Sequence, residues 1–243
     1  ADMLGYYNQA QKLKDMPVNA TMQSIQSVTF PALAKISDNP TKFDEGYRRV
    51  LMLTAFIMLP VMTGLIATAD DIYMLLLKPQ WHPAIPYFRI MCLIGIFYPI
   101  SAIAYNVLKV HSNGAIIFRL ELLKKVIMTA VLALTIPQST MAIAWGLVAM
   151  TVVEFVVNFA ATRRYTSLAW WQMVRTLLPS LLLTIVMYLA VKAVGCYAAS
   201  LAPILLLVAQ IAVGIVVYLL GALIFRLEAL TEFVKTIKGV LKR

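Results

Sequence analysis

Charged and amide side chains recur at helical spacing inside stretches of this sequence that otherwise read as lipid-facing. In "FRLELLKKVIMTAVLALTIP", residues 118–137, Arg119, Glu121, Lys124 and Lys125 precede an uncharged run from Val126 to Ile136. At about 1.5 Å per residue that run covers roughly 16 Å, half of a hydrocarbon core. A crossing here must therefore draw in the charged half as well. Lysines near a boundary can snorkel, which accommodates Lys124 and Lys125. Arg119 and Glu121 are harder to place, because a charge at mid-bilayer costs about 2.5–3.5 kcal/mol on insertion scales and normally faces protein or water.

The following stretch, "MAIAWGLVAMTVVEFVVNFAATRR", offers a partner. Thr151, Glu154, Asn158 and Thr162 follow 3-4-4 spacing, a single helix face. A tight turn makes the two stretches antiparallel, and Lys124 and Glu154 each lie thirteen residues from it, counted from Pro137 and Met141. Both are predicted about 20 Å below the same surface. Two readings stay open and are compatible. One is a buried ion pair that fixes the hairpin; the other is a polar cavity wall that meets a charged cargo.

The first segment repeats the pattern. Asn8, Lys12, Asp15, Asn19, Gln23 and Gln26 share one helix face, and Met22, Ile25 and Val28 lie opposite. Such a helix is interfacial or is a span beside an aqueous cavity; the absence of charge from Met16 to Ala34 favours the cavity. Other chemistry is thinly supplied. His82 and His111 stand apart, Cys92 and Cys196 fall in or near apolar stretches, and no cluster has metal-ligand spacing, so no metal or cofactor is expected. Asp70–Asp71 is the only acidic pair in the outer loops and sits beside a span end. An enzyme is not expected.

The elements that must position these residues follow from composition. The chain has 243 residues, 61% hydrophobic and 13% charged, where a soluble domain is about half apolar and a quarter charged. Apolar runs of span length occur near 50–69, 87–108, 140–162, 173–195 and 202–225, with weaker ones at 16–34 and 115–136. The reading is an all-α polytopic membrane protein of about seven transmembrane helices. Of the 21 Lys and Arg, 16 fall in segments 35–49, 109–125, 163–175 and the C-terminal stretch; the other five are Lys12, Lys14, Lys78, Arg89 and Lys192. Rich and poor ends alternate, which puts the C-terminus in the cytoplasm. The net charge of +10 is mostly this sorting signal and does not indicate nucleic acid. Trp81 and Trp170–Trp171 fit interfacial belts. The closing "RLEALTEFVKTIKGVLKR" reads equally as an amphipathic helix on the inner leaflet or as a solvated tail. Prolines within or beside spans (Pro17, Pro31, Pro60, Pro86, Pro99, Pro179 and Pro203) permit kinks. An odd span count without a secretory signal points either to a part upstream of Ala1, the favoured reading, or to residues 16–34 lying in the membrane plane with six spans remaining.

The words "LGYYNQAQKLKDMPV", "FPALAKI", "EGYRRVL", "WHPAIPYFRIMCLIGIFYPI" and "FRLELLKKV" carry a resemblance. The sequence resembles bacterial polysaccharide exporters of the Wzx and colanic-acid type, in the superfamily that includes the lipid II flippase and the MATE exporters. The likeness is strongest over residues 4–125 and rests on hydropathy after about 140. It implies a two-lobe transporter of about fourteen helices, of which this chain is the C-terminal half. Residues 1–165 would be most of the C-terminal lobe, 166–226 an appended helix pair and 227–243 a basic cytoplasmic tail. The implied activity is flipping of an undecaprenyl-diphosphate-linked oligosaccharide across the bacterial inner membrane by alternating access. Implied partners are that lipid-linked oligosaccharide, membrane lipids, the missing N-terminal half and polysaccharide polymerase machinery. Lys12, Lys14, Arg119, Lys124 and Lys125 are then candidates for the diphosphate, with Asn8, Asn19, Gln23, Gln26, Glu121, Glu154 and Asn158 lining the path. The alternative is an ion-coupled exporter of small molecules, with Glu121 or Glu154 as the ion site.

Overall fold

The computed structural model describes residues 2–198 and 200–241, with side chains for all of these except 2, 24–30 and 237–241. Among the described residues the chain is all helical. Its elements are α1 (Asp2–Lys35), α2 (Pro40–Ala67), α3 (Ala69–Leu76), a 3-10 segment (Pro79–Ala84), α4 (Ile85–His111), α5 (Gly114–Thr135), α6 (Thr140–Thr162), α7 (Trp170–Tyr197), α8 (Pro203–Ile224) and α9 (Glu228–Leu241). Five crossings, by α2, α4 with its 3-10 lead-in, α6, α7 and α8, are long and apolar enough on their own. The chain is a multi-pass membrane protein. α1 and α5 have the length, at 34 and 22 residues, but their polar content sets them apart from the five.

Local chemistry sets the helix starts. The Asn39 side chain accepts from the Lys42 amide and Pro40 occupies the first turn of α2. Asn113 accepts from the Ile116 amide to open α5, and Ser139 accepts from the Ala142 amide to open α6. Pro86 and Pro203 likewise sit in first turns, where proline is tolerated. Pro17, Pro31, Pro60, Pro99 and Pro179 lie inside helices.

α4 is the central element and packs against α1, α2 and α6. Two apolar clusters line it, one toward each end: Met62, Tyr73, Phe88 and Met91 in the first, Phe43, Tyr47, Ile103 and Phe159 in the second. Gly95 permits the crossing, because a Cβ there would run into the Met62 sulfur. α7 and α8 form a pair that leans on α2 through Phe56, Leu183, Met187 and Tyr218. The Tyr218 hydroxyl donates to the Phe56 carbonyl at 3.0 Å, closing a link over 162 residues of sequence. α5 rests mainly on α6. Their close approach needs Gly146, where a Cβ would come within 3.0 Å of both Val131 and Thr135.

The basic segments gather at one end of the bundle. Phe43 meets the His111 ring at 4.3 Å, and His111 stacks on Tyr165 at 6.1 Å. The Ser167 amide donates to Asp44 at 3.0 Å, and Arg48 pairs with Glu228 at 2.6 Å. At the opposite end Tyr6 meets Trp81 edge-on at 6.3 Å and Arg89 pairs with Asp70. The closing stretch forms the helix α9. Leu230 and Phe233 turn toward α2, with Phe233 5.9 Å from Phe56, while Val234 and Lys235 are exposed.

Candidate functional site

α1 carries its polar stripe on a bare face. Ala10, Lys14, Val18 and Met22 are buried against the bundle, whereas Asn8, Lys12, Asn19 and Gln23 are exposed and Asp15 is half-buried. The stripe is edged by apolar Met16, which is 70% exposed. Lys12 and Lys14 therefore differ. Lys12 is on the open face with no ion pair among the described residues, while Lys14 lies on the packed edge with its ammonium 2.5 Å from Asp15. The Gln26 side chain lies outside the described residues.

On α5 the four charges also separate. Arg119 and Lys125 are exposed and make no ion pair among the described residues. Lys124 turns inward, its side chain 6% exposed, and pairs with Glu121 one turn earlier. Its ammonium also lies 4.9 Å over the Tyr105 ring of α4, and Lys109 lies 4.9 Å from the same ring. Both cations thus lie against the Tyr105 ring.

The expected pairing of Lys124 with Glu154 is not what forms. Glu121 reaches Lys124 from one turn away on the same helix, and Tyr105 takes the other side. Glu154 is half-buried on α6, between the residues that meet α4 and the side that Gly146 presents to α5, with no cation at ion-pair distance among the described residues. Asn158 is buried against α4, where its amide donates to the Ser101 hydroxyl at 2.9 Å. Its carbonyl oxygen is buried without a partner among the described residues. The Thr151 and Thr162 hydroxyls donate within their own helix, to the Leu147 and Phe159 carbonyls. The 3-4-4 face of α6 is accordingly a helix-packing seam with α4, and Glu154 alone stands at its edge.

Two groups of residues escaped the sequence reading. Tyr98, Tyr105 and Lys109 share a face of α4, and their 7-4 spacing was the available signal. At the basic end, Arg48, Gln172, Arg175 and Glu228 line a cavity of about 540 Å³. No run of sequence brings these four together, since three helices supply them. A second cavity, about 370 Å³ and apolar, lies between α2, α7 and α8, lined by Val61, Leu65, Val191 and Ile215 among others.

Parts of this chain are similar to known proteins. Residues 1–86 match the family model described as polysaccharide biosynthesis protein. The lipopolysaccharide biosynthesis protein WzxC of Escherichia coli K12 is 25% identical over 124 residues, 51% of this chain and 25% of that protein. The teichuronic acid biosynthesis protein TuaB of Bacillus subtilis 168 is 26% identical over 96 residues, 40% of this chain and 20% of its own. The succinoglycan biosynthesis transport protein ExoT of Rhizobium meliloti 1021 is 27% identical over 131 residues, 53% and 26% respectively. The chain thus spans about a quarter of the length of these curated relatives. Its fold is similar to that of the lipid II flippase MurJ in an inward closed conformation, with a TM-score of 0.69 at 18% identity, over 92% of this chain and 47% of that one. In its sequence words the chain is similar to polysaccharide biosynthesis and transport proteins, and in its helical architecture it is similar to the lipid II flippase.

Proposed function

We propose that this chain forms the C-terminal portion of a flippase that moves an undecaprenyl-diphosphate-linked oligosaccharide across the bacterial inner membrane by alternating access. The observation that carries the reading is a set of uncovered polar side chains on two helices of a lipid-facing bundle. Arg119 and Lys125 on α5, and Asn8, Lys12, Asn19 and Gln23 on α1, are uncovered. In a water-filled chamber between two lobes they would be stable, and in lipid they would be costly. A diphosphate is held by cations in a low-dielectric chamber, and sugar hydroxyls by amides. Lys14 and Lys124 already hold carboxylates, so they serve the site through its shape, and Arg119, Lys125 and Lys12 are the cations left for cargo.

A second lobe would supply the opposite wall, consistent with coverage of 47% of the lipid II flippase chain. Within this reading the basic end faces the cytoplasm. Residues 1–165 act as the transport lobe, 166–226 as an appended helix pair and 227–243 as a cytoplasmic tail. The work is transport rather than bond chemistry, so a polymerase acting on the flipped product is a separate partner.

In cells carrying the complete protein, Arg119→Ala and Lys125→Ala are expected to abolish surface polysaccharide while membrane levels of the protein stay unchanged. Normal export from both variants would sink the assignment. One observation favours a second reading, an ion-coupled exporter of small molecules: Glu154, half-buried in a span without a cation beside it. Under that reading Glu154→Gln would stop efflux of fluorescent cations, which a polysaccharide flippase does not extrude.

A further inference from the structure

The 540 Å³ cavity at the basic end has a mixed lining. Arg48 of α2, Gln172 and Arg175 of α7 and Glu228 at the start of α9 supply its polar part, its mouth, and Met52 and Pro179, each four residues further along α2 and α7, supply an apolar floor. We propose that this cavity binds the phosphate headgroup of an anionic phospholipid from the leaflet that carries α9. The inference is independent of what cargo the protein moves.

Depth is the first support. Trp170 and Trp171 open α7, and Trp171 is 67% exposed, as expected of an interfacial anchor. Arg175 lies four residues further in, about 6 Å along the helix axis. On α2 the charges end at Arg49, and no charged residue follows before Asp70. The mouth therefore lies where headgroups meet hydrocarbon. Just beyond Arg175, exposed Leu178, Leu181 and Leu182 run outward along α7 and offer a surface for acyl chains.

Charge is the second support. Arg48 is neutralised by Glu228 at 2.6 Å. Arg175 has no carboxylate at ion-pair distance among the described residues, so the mouth keeps one net positive charge. A phosphodiester carries one negative charge on two terminal oxygens, which suits a guanidinium fork. Gln172 adds to it: its side-chain oxygen accepts from the Ala169 amide at 2.9 Å, which leaves its NH2 group as a donor. The cavity volume is of the size that holds a small organic group. A free phosphate ion could satisfy the guanidinium but would have no use for the apolar floor and the leucine track.

The test is native mass spectrometry of the whole protein extracted from membranes, offered phosphatidylglycerol or phosphatidylcholine with identical acyl chains. Wild type is expected to retain phosphatidylglycerol about tenfold better, the worth of one charge-assisted hydrogen bond. Arg175→Ala is expected to erase that preference, and Arg175→Lys to keep part of it. Because Arg175 is exposed and unpaired, neither change should disturb folding, which the elution profile and α9 contacts would verify. Arg163→Ala and Arg164→Ala, which remove equal charge from the adjacent loop, are expected to leave the preference intact. The proposal is overturned if wild type shows no preference. It is overturned too if the loop variants lose as much as Arg175→Ala, which would make the effect a general surface charge, or if millimolar inorganic phosphate displaces the lipid.

Discussion

Lys124 and Lys125 are neighbours in sequence and opposites in the molecule. Lys124 is inward, with Glu121 and the Tyr105 ring around its ammonium, and Lys125 is bare. Removing one member of a fully buried pair costs about 3–5 kcal/mol, and somewhat less is expected here because Glu121 reaches the surface. Lys124→Met should therefore lower the melting temperature and the membrane level of the protein, and the double change with Glu121→Gln should restore both. Equal behaviour of the single and double variants would show that the pair has no structural weight. The spacing in the sequence found these residues but joined Lys124 to Glu154. Counting residues from a turn gives depth along a helix axis and says nothing about rotation about it. Two groups at one depth meet only if both helices turn them toward each other, and Glu154 is turned to the edge of the α4 seam. Rotation also turns Asn158 toward α4, where its amide donates to Ser101.

At the scale of elements, apolar runs locate the lipid-crossing part of a helix, and capping residues locate its ends. The run begins near 50, yet α2 begins at Pro40, because Asn39 and Pro40 start a helix that carries Arg48 and Arg49 through the headgroup layer. α3 and the 3-10 segment were invisible to periodicity, being too short for it. Gly146 is legible only in three dimensions. Gly146→Leu should push α5 off α6, at about 1–3 kcal/mol of overpacking, with the loss read as a drop in melting temperature. α9 is expected to respond to acid. The Lys235 ammonium, at 2.7 Å, and the Arg49 guanidinium, at 2.6 Å, hold the Glu232 carboxyl below its usual value near 4.5. A carboxyl depressed in the docked state contributes stability above that usual value and loses it as pH falls through the lower, docked value. Lys235 rides on α9 itself, so only the Arg49 share depends on docking, and spin labels on α9 should report attachment to α2 at pH 7 and a partial loosening below about pH 4.5. Glu232→Gln should show the same loosening already at neutral pH; attachment unaffected by both treatments would leave the apolar contacts of Phe233 as sufficient.

The whole molecule has a polarity that its two cysteines can report. Cys196 is exposed near the end of α7 remote from α9, and Cys92 is buried in α4. With the basic end in the cytoplasm, an impermeant maleimide added to intact spheroplasts should label Cys196, and Cys196→Ser should remove the signal. Labelling that requires lysis would invert the orientation. The sequence already carried this alternation of rich and poor ends, and rings, ion pairs and loop contacts at each end give it a geometric counterpart. What it could not carry is the spatial order of helices, in which α4 is central and α5 is peripheral.

The peripheral seat of α5 bears on how the chain is made. Its uncharged half is too short to enter a bilayer unaided, and its broad support among the described residues, α6, is synthesised after it. The emerging α5 is therefore expected to wait at the translocon until α6 follows, the two entering as one hairpin around the turn at 136–139. A nascent chain halted before Thr140 would leave the span stranded outside the membrane, and one halted after Thr162 would not.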